Sequence, residues 1–308
     1  MEWLRFMNAE LIAEVDGDEF AEFERGWLTG ALAEVIPGLA ADLRVRPVVQ
    51  AKPLGNADIT VPWGEPGHVL GWVGRHRRTP VDGREVLYTQ RTWDRTLDAL
   101  DKYPFGVSLR LYRLDELGFP RGRGEDAVLR VLRDPVTPGY ARFSFGVSAE
   151  EVGWPDAPAL QDGWARFVKR QAAAVGACWG CMTDDSGGLF TALELATASS
   201  RVAPNLASPR EVLPGYSWVT VVAAELAGRL GGADALAATG AFCEADELPS
   251  RGLWLRATPT VNEFTGEAVR RVFEALAPVL LSGVTRFGFR ERYRLVEGVD
   301  AADNRQSK

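Results

Sequence analysis

Apolar residues recur at two different periods along the chain, and the period changes where turn residues cluster. Leu4, Met7, Leu11 and Ile12 fall at helical spacing, as do Phe20, Phe23, Trp27, Leu28, Ala31, Leu32 and Val35 ahead of Pro37-Gly38. The spacing predicts a helical segment over residues 1–45. Residues 46–105 are rich in Gly and Pro and hold only short apolar runs, Val69–Val73 and Val86–Tyr88. From residue 106 the pattern sharpens. Val107–Leu114, Ala127–Leu132 and Tyr140–Val147 are runs of strand type, and in the last Tyr140, Arg142 and Ser144 alternate with Ala141, Phe143 and Phe145. That alternation suits a sheet with one wetter face.

A helix follows, marked on one side by Leu160, Trp164, Phe167, Val168 and Gln171. Asp156 is its candidate cap, Pro158 suits its first turn and Gly176 its end. Ala177–Met182 and Leu189–Ala196 read as strands joined by the turn Asp184-Asp185-Ser186-Gly187-Gly188. A similar order then repeats. Ser217–Val222 reads as a strand, and Ala223–Leu230 as a helix stopped by Gly231-Gly232. Gly240–Ala245 and Gly252–Ala257 form a hairpin across Pro249-Ser250. A helix capped by Thr265 carries Val269, Val272, Phe273, Leu276 and Leu280. In Arg286–Leu295, Phe287, Phe289, Tyr293 and Leu295 face one way and Arg286, Arg290, Arg292 and Arg294 the other, as in an amphipathic strand with a charged outer face. The fold class expected is therefore α+β: two ββαβ-type units with helices packed on one face of a mainly antiparallel sheet, preceded by a helical N-terminal segment. The corresponding regions are a helical and loop-rich part over 1–105, units over 106–200 and 201–297, and a disordered tail over 298–308.

Composition narrows the function classes. The 308 residues are 46% hydrophobic and 25% charged, as in ordinary globular proteins. Lys+Arg 35 against Asp+Glu 42 gives a net charge of −7, the wrong sign for a protein that lives on nucleic acid or anionic lipid. No run approaches the ~20 apolar residues of a membrane span; the longest, Leu276–Val284, contains Pro278, Ser282 and Gly283. The first residues lack a basic stretch of secretory type, and three cysteines make no disulfide scaffold, so a cytoplasmic location is expected. Only Lys52, Lys102, Lys169 and Lys308 are lysines. We read that bias as GC-rich coding, which weakens arguments from the mere presence of an arginine.

The chemical motifs have bland readings beside sharp ones. Cys178-Trp179-Gly180-Cys181 has redox spacing, but it follows a helix instead of opening one and lies in a strand candidate, which favours a buried structural pair. Asp185-Ser186-Gly187-Gly188 has the form found around a protease nucleophile, but such residues also suit a turn. Arg75-His76-Arg77-Arg78 reads as an exposed loop. GxxxxGK[ST], GxGxxG, HExxH and GxSxG are all missing, and His68 and His76 are the two histidines. No catalytic residue, metal ligand or cofactor is assigned, and the balance leans against an enzyme.

Pro214-Gly215-Tyr216-Ser217-Trp218-Val219-Thr220, Leu226, Leu230-Gly231-Gly232 and Leu236 are followed by Leu253-Trp254-Leu255 and a helix ending Leu276-Ala277-Pro278-Val279. This stretch resembles the TsiV-like type VI immunity family of bacteria. The likeness is loose over 106–281 and better over 214–281; Ala141–Val147, Trp164–Ala174 and Ala177–Met182 fit the family's first sheet unit. It implies a non-enzymatic protein that binds a cognate toxin, in some cases a nuclease, and occludes its active site, with no direct contact to nucleic acid or membrane. An acidic surface complements a basic toxin cleft. Candidate partner-binding residues are Glu10, Glu14, Asp18, Glu19 and Glu22 in the acidic stretch Glu10–Glu24, with Phe242, Glu244, Asp246 and Glu247. A solvated helix face remains the plainer reading of the first group. The alternative function is an α+β enzyme or small-molecule binder with a Trp-lined pocket between the sheet units.

Overall fold

The computed structural model describes residues 5–15, 17–43, 62–79, 83–121, 124–137, 139–185, 191–196, 208–283 and 294–305. Its strands are β1 (Phe6–Glu14), β2 (Val69–His76), β3 (Gly83–Leu87), β4 (Gly106–Arg113), β5 (Ala127–Arg133), β6 (Tyr140–Ser148), β7 (Trp179–Thr183), β8 (Val219–Val222), β9 (Glu244–Glu247) and β10 (Leu253–Arg256). They form one ten-stranded sheet in the order β3-β2-β4-β5-β6-β1-β7-β8-β10-β9. Every pairing is antiparallel. The α+β class with an antiparallel sheet is thus the architecture of the protein.

Several local expectations change. Phe6–Glu14, expected to be helical, is the strand that joins the two halves of the sheet, between β6 and β7. Met7, Ala9, Leu11 and Ala13 point to one face, which satisfies a period of two as well as the helical spacing does. The helical part begins at α1 (Gly17–Gly30), widens through one π-helical turn at Ala31–Val35 and ends in α2 (Pro37–Leu43). Within Leu189–Ala196, taken for a strand, Ala192–Ala196 is a short helix (α6). Most of Arg286–Leu295 lies outside the described residues. In the tail expected to be disordered, Ala301–Arg305 forms a helix (α10) with Ala301 buried. Thr265 does not cap α9 (Glu267–Leu276); Gly266, at φ 47°, stands at that position without a side-chain bond. Asp156 likewise gives way to Ala157 ahead of α5 (Pro158–Val175), whereas Pro158 and left-handed Gly176 bound that helix as expected.

One face of the sheet carries the main core. Phe143 and Phe145 of β6 meet Trp27 of α1 and Trp164 and Phe167 of α5, with Trp27 and Phe167 ring centres 5.3 Å apart. Trp27 Nε1 donates to the Ser144 carbonyl at 3.2 Å and Trp164 Nε1 to the Val35 carbonyl at 2.9 Å, so the buried indoles keep partners. Gly30 lets α1 approach α5: a Cβ there would stand 2.8 Å from the Phe167 ring. Short helices α3 (Gln90–Leu97), α4 (Ala149–Val152), α7 (Ala224–Arg229) and α8 (Gly232–Ala238) complete the chain. The β9–β10 hairpin turns at Pro249-Ser250 as expected, with Arg251 in the left-handed region at φ 63°.

Candidate functional site

Register places side chains in rows across the sheet. One row on the face away from Trp27 and Phe143 runs Glu85, Gly74, Ser108, Arg130, Ser144, Glu10, Cys181 and Thr220. Its small members, Gly74 and Ser108, are direct cross-strand partners flanked by larger groups on every side. The result is a pocket of about 180 Å³ lined by Gly74, His76, Gly83, Glu85, Ser108, Arg110, Arg130 and Leu132. The glycines make that room. A Cβ on Gly74 would come 2.4 Å from Ser108 Oγ, and one on Gly83 2.5 Å from the His76 ring.

The pocket is polar. His76 is buried at the end of β2 with Nε2 3.1 Å from Ser108 Oγ, so the expected exposed loop at Arg75–Arg78 is strand for its first two residues, with Arg77 and Arg78 exposed beyond it. Arg110 contacts Glu85 and lies 3.8 Å from Glu125. Arg130 has no carboxylate within ion-pairing distance among the described residues, and loss of water around it pushes its pKa down, against the upward pull of Glu125. Beside the pocket Trp63, Leu70, Trp72, Tyr112 and Leu114 form a separate small core on this same face. A serine bonded to a histidine has the form of an activated nucleophile. Ser108, however, sits inside a strand paired on both sides, where the backbone groups are committed to the ladder instead of an oxyanion hole. The arrangement suits recognition of a polar group better than acyl transfer.

Further along the row, Glu10 is 2% exposed and accepts from Arg142 Nη1 at 2.6 Å. Burial raises its pKa to about 7; Arg142 pulls the other way and Glu194 adds to the rise. Glu194 is itself raised by burial and accepts from the backbone and hydroxyl of Thr191, each at 2.8 Å. Glu24, at the end of the acidic stretch, is fully buried and raised well above the ordinary carboxylate range by the same cause. Glu10 is thereby withdrawn from any docking surface.

The other residues expected at a partner interface fall in two separate places. Glu14, at the end of β1, and Glu19 and Glu22, on α1, are exposed; the side chain of Asp18 lies outside the described residues. Glu14 is tied to Arg210 at 3.2 Å. Asp246 and Glu247 are exposed on β9 at the edge of the sheet, Glu244 is half-buried and Phe242 is buried. Lys169 of α5 bridges Glu244 and Asp246, which neutralises part of that group. Four steps of ~4.8 Å separate β9 from β1, so the two acidic patches do not merge.

The remaining motifs are structural. Cys178 and Cys181 are free, buried thiols, with Cys178 pushed up to about 11 by burial. Asp184 and Asp185 are buried; Asp184 pairs with Arg5 at 2.5 Å and contacts Arg294, whose backbone N–H donates to Asp185 at 3.0 Å. Ser186 lies outside the described residues. Trp154, Trp164, Trp179, Trp218 and Trp254 are all fully buried, so they form core and not the wall of a ligand pocket. Of the pocket residues His76 alone stands out in the sequence, within Arg75–Arg78. The one other signal was Arg130 alternating with Leu129 and Val131 in a strand candidate.

No protein-family model and no curated protein matches the chain. Among solved structures the fold is similar to that of the Pseudomonas aeruginosa T6SS protein PA0821, with a TM-score of 0.54 at 13% identity over 98% of this chain and 82% of the other. At that identity the likeness is one of fold, and it extends over the α1–α2 region and the β2–β3 edge as well as the segment that resembles immunity proteins. No described helix is long and apolar enough to cross a membrane.

Proposed function

We propose that the chain is a bacterial, cytoplasmic immunity protein of type VI secretion, which binds a cognate toxin and occludes its active site without catalysing a reaction itself. The observation that supports this most is the fold shared with a T6SS protein over nearly the whole chain. The residues of 214–281 that resemble the TsiV-like family support it from a second direction. Glu14 at the end of β1, with Asp18, Glu19 and Glu22 of α1, is the leading contact, because Glu19 and Glu22 are exposed and form no ion pair among the described residues. A basic toxin cleft, as in a nuclease, would be attracted to it through long-range charge. The β9 patch of Phe242, Glu244, Asp246 and Glu247 is a secondary contact, since Lys169 already holds two of its acids.

The test is purification of the tagged chain from its host, followed by an activity assay on whatever co-purifies. A stoichiometric partner whose toxic activity stops on addition of this chain is the expected result. Reversal of Glu19 and Glu22 to Lys should weaken that complex about tenfold or more and slow its association most at low salt. A partner whose activity is unaffected would overturn the immunity reading. Full affinity in the doubly reversed variant would remove α1 from the interface.

A further inference from the structure

We propose that the depression over Gly74 and Ser108 is a carboxylate-recognition site, in which Arg130 supplies the charge and Ser108, held by His76, a hydrogen bond. The inference goes beyond toxin binding and does not depend on it.

The geometry carries the assignment. Arg130 is half-buried on β5 and faces the pocket without a carboxylate in ion-pairing range among the described residues. A guanidinium held out of water without a counter-charge is costly, and an incoming anion would relieve that cost. The neighbouring cation is already satisfied: Arg110 contacts Glu85 and lies near Glu125. Among the described residues Arg130 is thus the guanidinium of the pocket without a carboxylate partner, which matches a single carboxylate better than a doubly charged phosphate. Arg offers a planar pair of donors to such a group. Ser108 Oγ, 3.1 Å from His76 Nε2, stands at its edge as a further polar contact. Leu132 closes one side, and the absence of a Cβ on Gly74 and Gly83 lets Ser108 Oγ and the His76 ring settle over those positions as the floor. At about 180 Å³ the space admits a group of a few heavy atoms and not a nucleotide. Either a free small acid or an acidic side chain of a docked protein presents this chemistry.

The site is tested on the full chain, labelled with nitrogen-15, by titration with acetate at fixed pH and ionic strength, with chloride as the balancing anion. Saturable shifts confined to the Gly74, Ser108 and Arg130 resonances are expected. In Arg130→Met they should weaken about tenfold or more, while Arg130→Lys keeps part of the affinity. Gly74→Ala is the second variant: it leaves Arg130 in place but drives a methyl against Ser108, and should also abolish saturation. Blocked aspartate binding as well as acetate would point to a protein side chain, and acetate alone to a free acid. Shifts that never saturate, or that are unchanged in folded Arg130→Met and Gly74→Ala, would overturn the site. Tighter binding of inorganic phosphate than of acetate would overturn the carboxylate assignment.

Discussion

Two parts of the sheet, β7-β8-β10 and β5, are covered differently. In β7, β8 and β10 every residue from Trp179 to Thr183, Val219 to Val222 and Leu253 to Leu255 is buried, so both faces are covered. In β5 burial alternates: Ala127, Leu129 and Val131 are buried, while Val128, Arg130 and Leu132 are partly open. A strand covered twice reads as a continuous apolar run, and one covered once reads as an alternation. The first region has its stability concentrated in large side chains such as Trp179 and Trp254. Beside the second, Gly74 of β2 and Ser108 of β4 leave a pocket next to the small core of Trp63, Leu70, Trp72, Tyr112 and Leu114, without emptying the main core beneath.

The widest separation between the two regions should appear on truncation. Trp254→Ala, in the doubly covered region, is expected to cost about 3–5 kcal/mol in urea unfolding, against less than about 1 kcal/mol for Val128→Ala on the open face. Equal losses would erase the distinction. Added methyl groups probe the same contrast at smaller scale. Gly180→Ala places a Cβ 2.5 Å from Leu11 and 2.9 Å from the Glu10 carbonyl, and overpacking there should cost about 1–3 kcal/mol. Gly74→Ala meets side-chain ends alone, Ser108 Oγ at 2.4 Å and His76 Nε2 at 3.2 Å, with no backbone atom in the way, and should cost about 1 kcal/mol while it fills the pocket.

Between the regions, Glu10 predicts a pH dependence. Its pKa is about 7 in the folded protein against 4.5 ordinarily. Between those values the native chain keeps a proton that the unfolded chain has lost, so stability falls as pH rises through that window and is fully present below it. Glu24 and Glu194 shift in the same direction. Glu10→Gln should flatten the decline without removing it, measured as the unfolding free energy from pH 4 to pH 8; an unaltered slope would show that Glu10 is not its source. The smallest effect is expected at Arg130→Met, which removes an unpaired cation and should leave stability within about 1 kcal/mol of the parent chain.

What was legible in the sequence follows the same division. β6, the β9–β10 hairpin and α5 with its terminal Gly176 announce themselves, because one face or one turn residue dominates each. β1 does not. Met7 and Leu11 satisfy helical and strand periods alike, and Glu10 resembles a solvated acid until Arg142, far away in the chain, arrives beside it. β2 was obscured by Gly71 and Gly74, which the fold needs where Tyr88 and Ser108 press close. The acidic stretch misled in the same manner: its charges divide between a strand interior, a helix surface and the core. The pocket was invisible because its parts come from four strands and meet only once the register is set.

The place of β1 has a consequence for how the protein is made. Among the described strands it comes first in the chain, yet its partners are β6 and β7, at residues 140–148 and 179–183. During translation β1 must remain unpaired until both emerge, an exposed apolar segment in need of shelter. Contacts so distant in sequence slow folding, and the two halves of the sheet have no shared strand before this one docks. Closure of that seam is the step at which the order of synthesis and the order of the sheet finally meet.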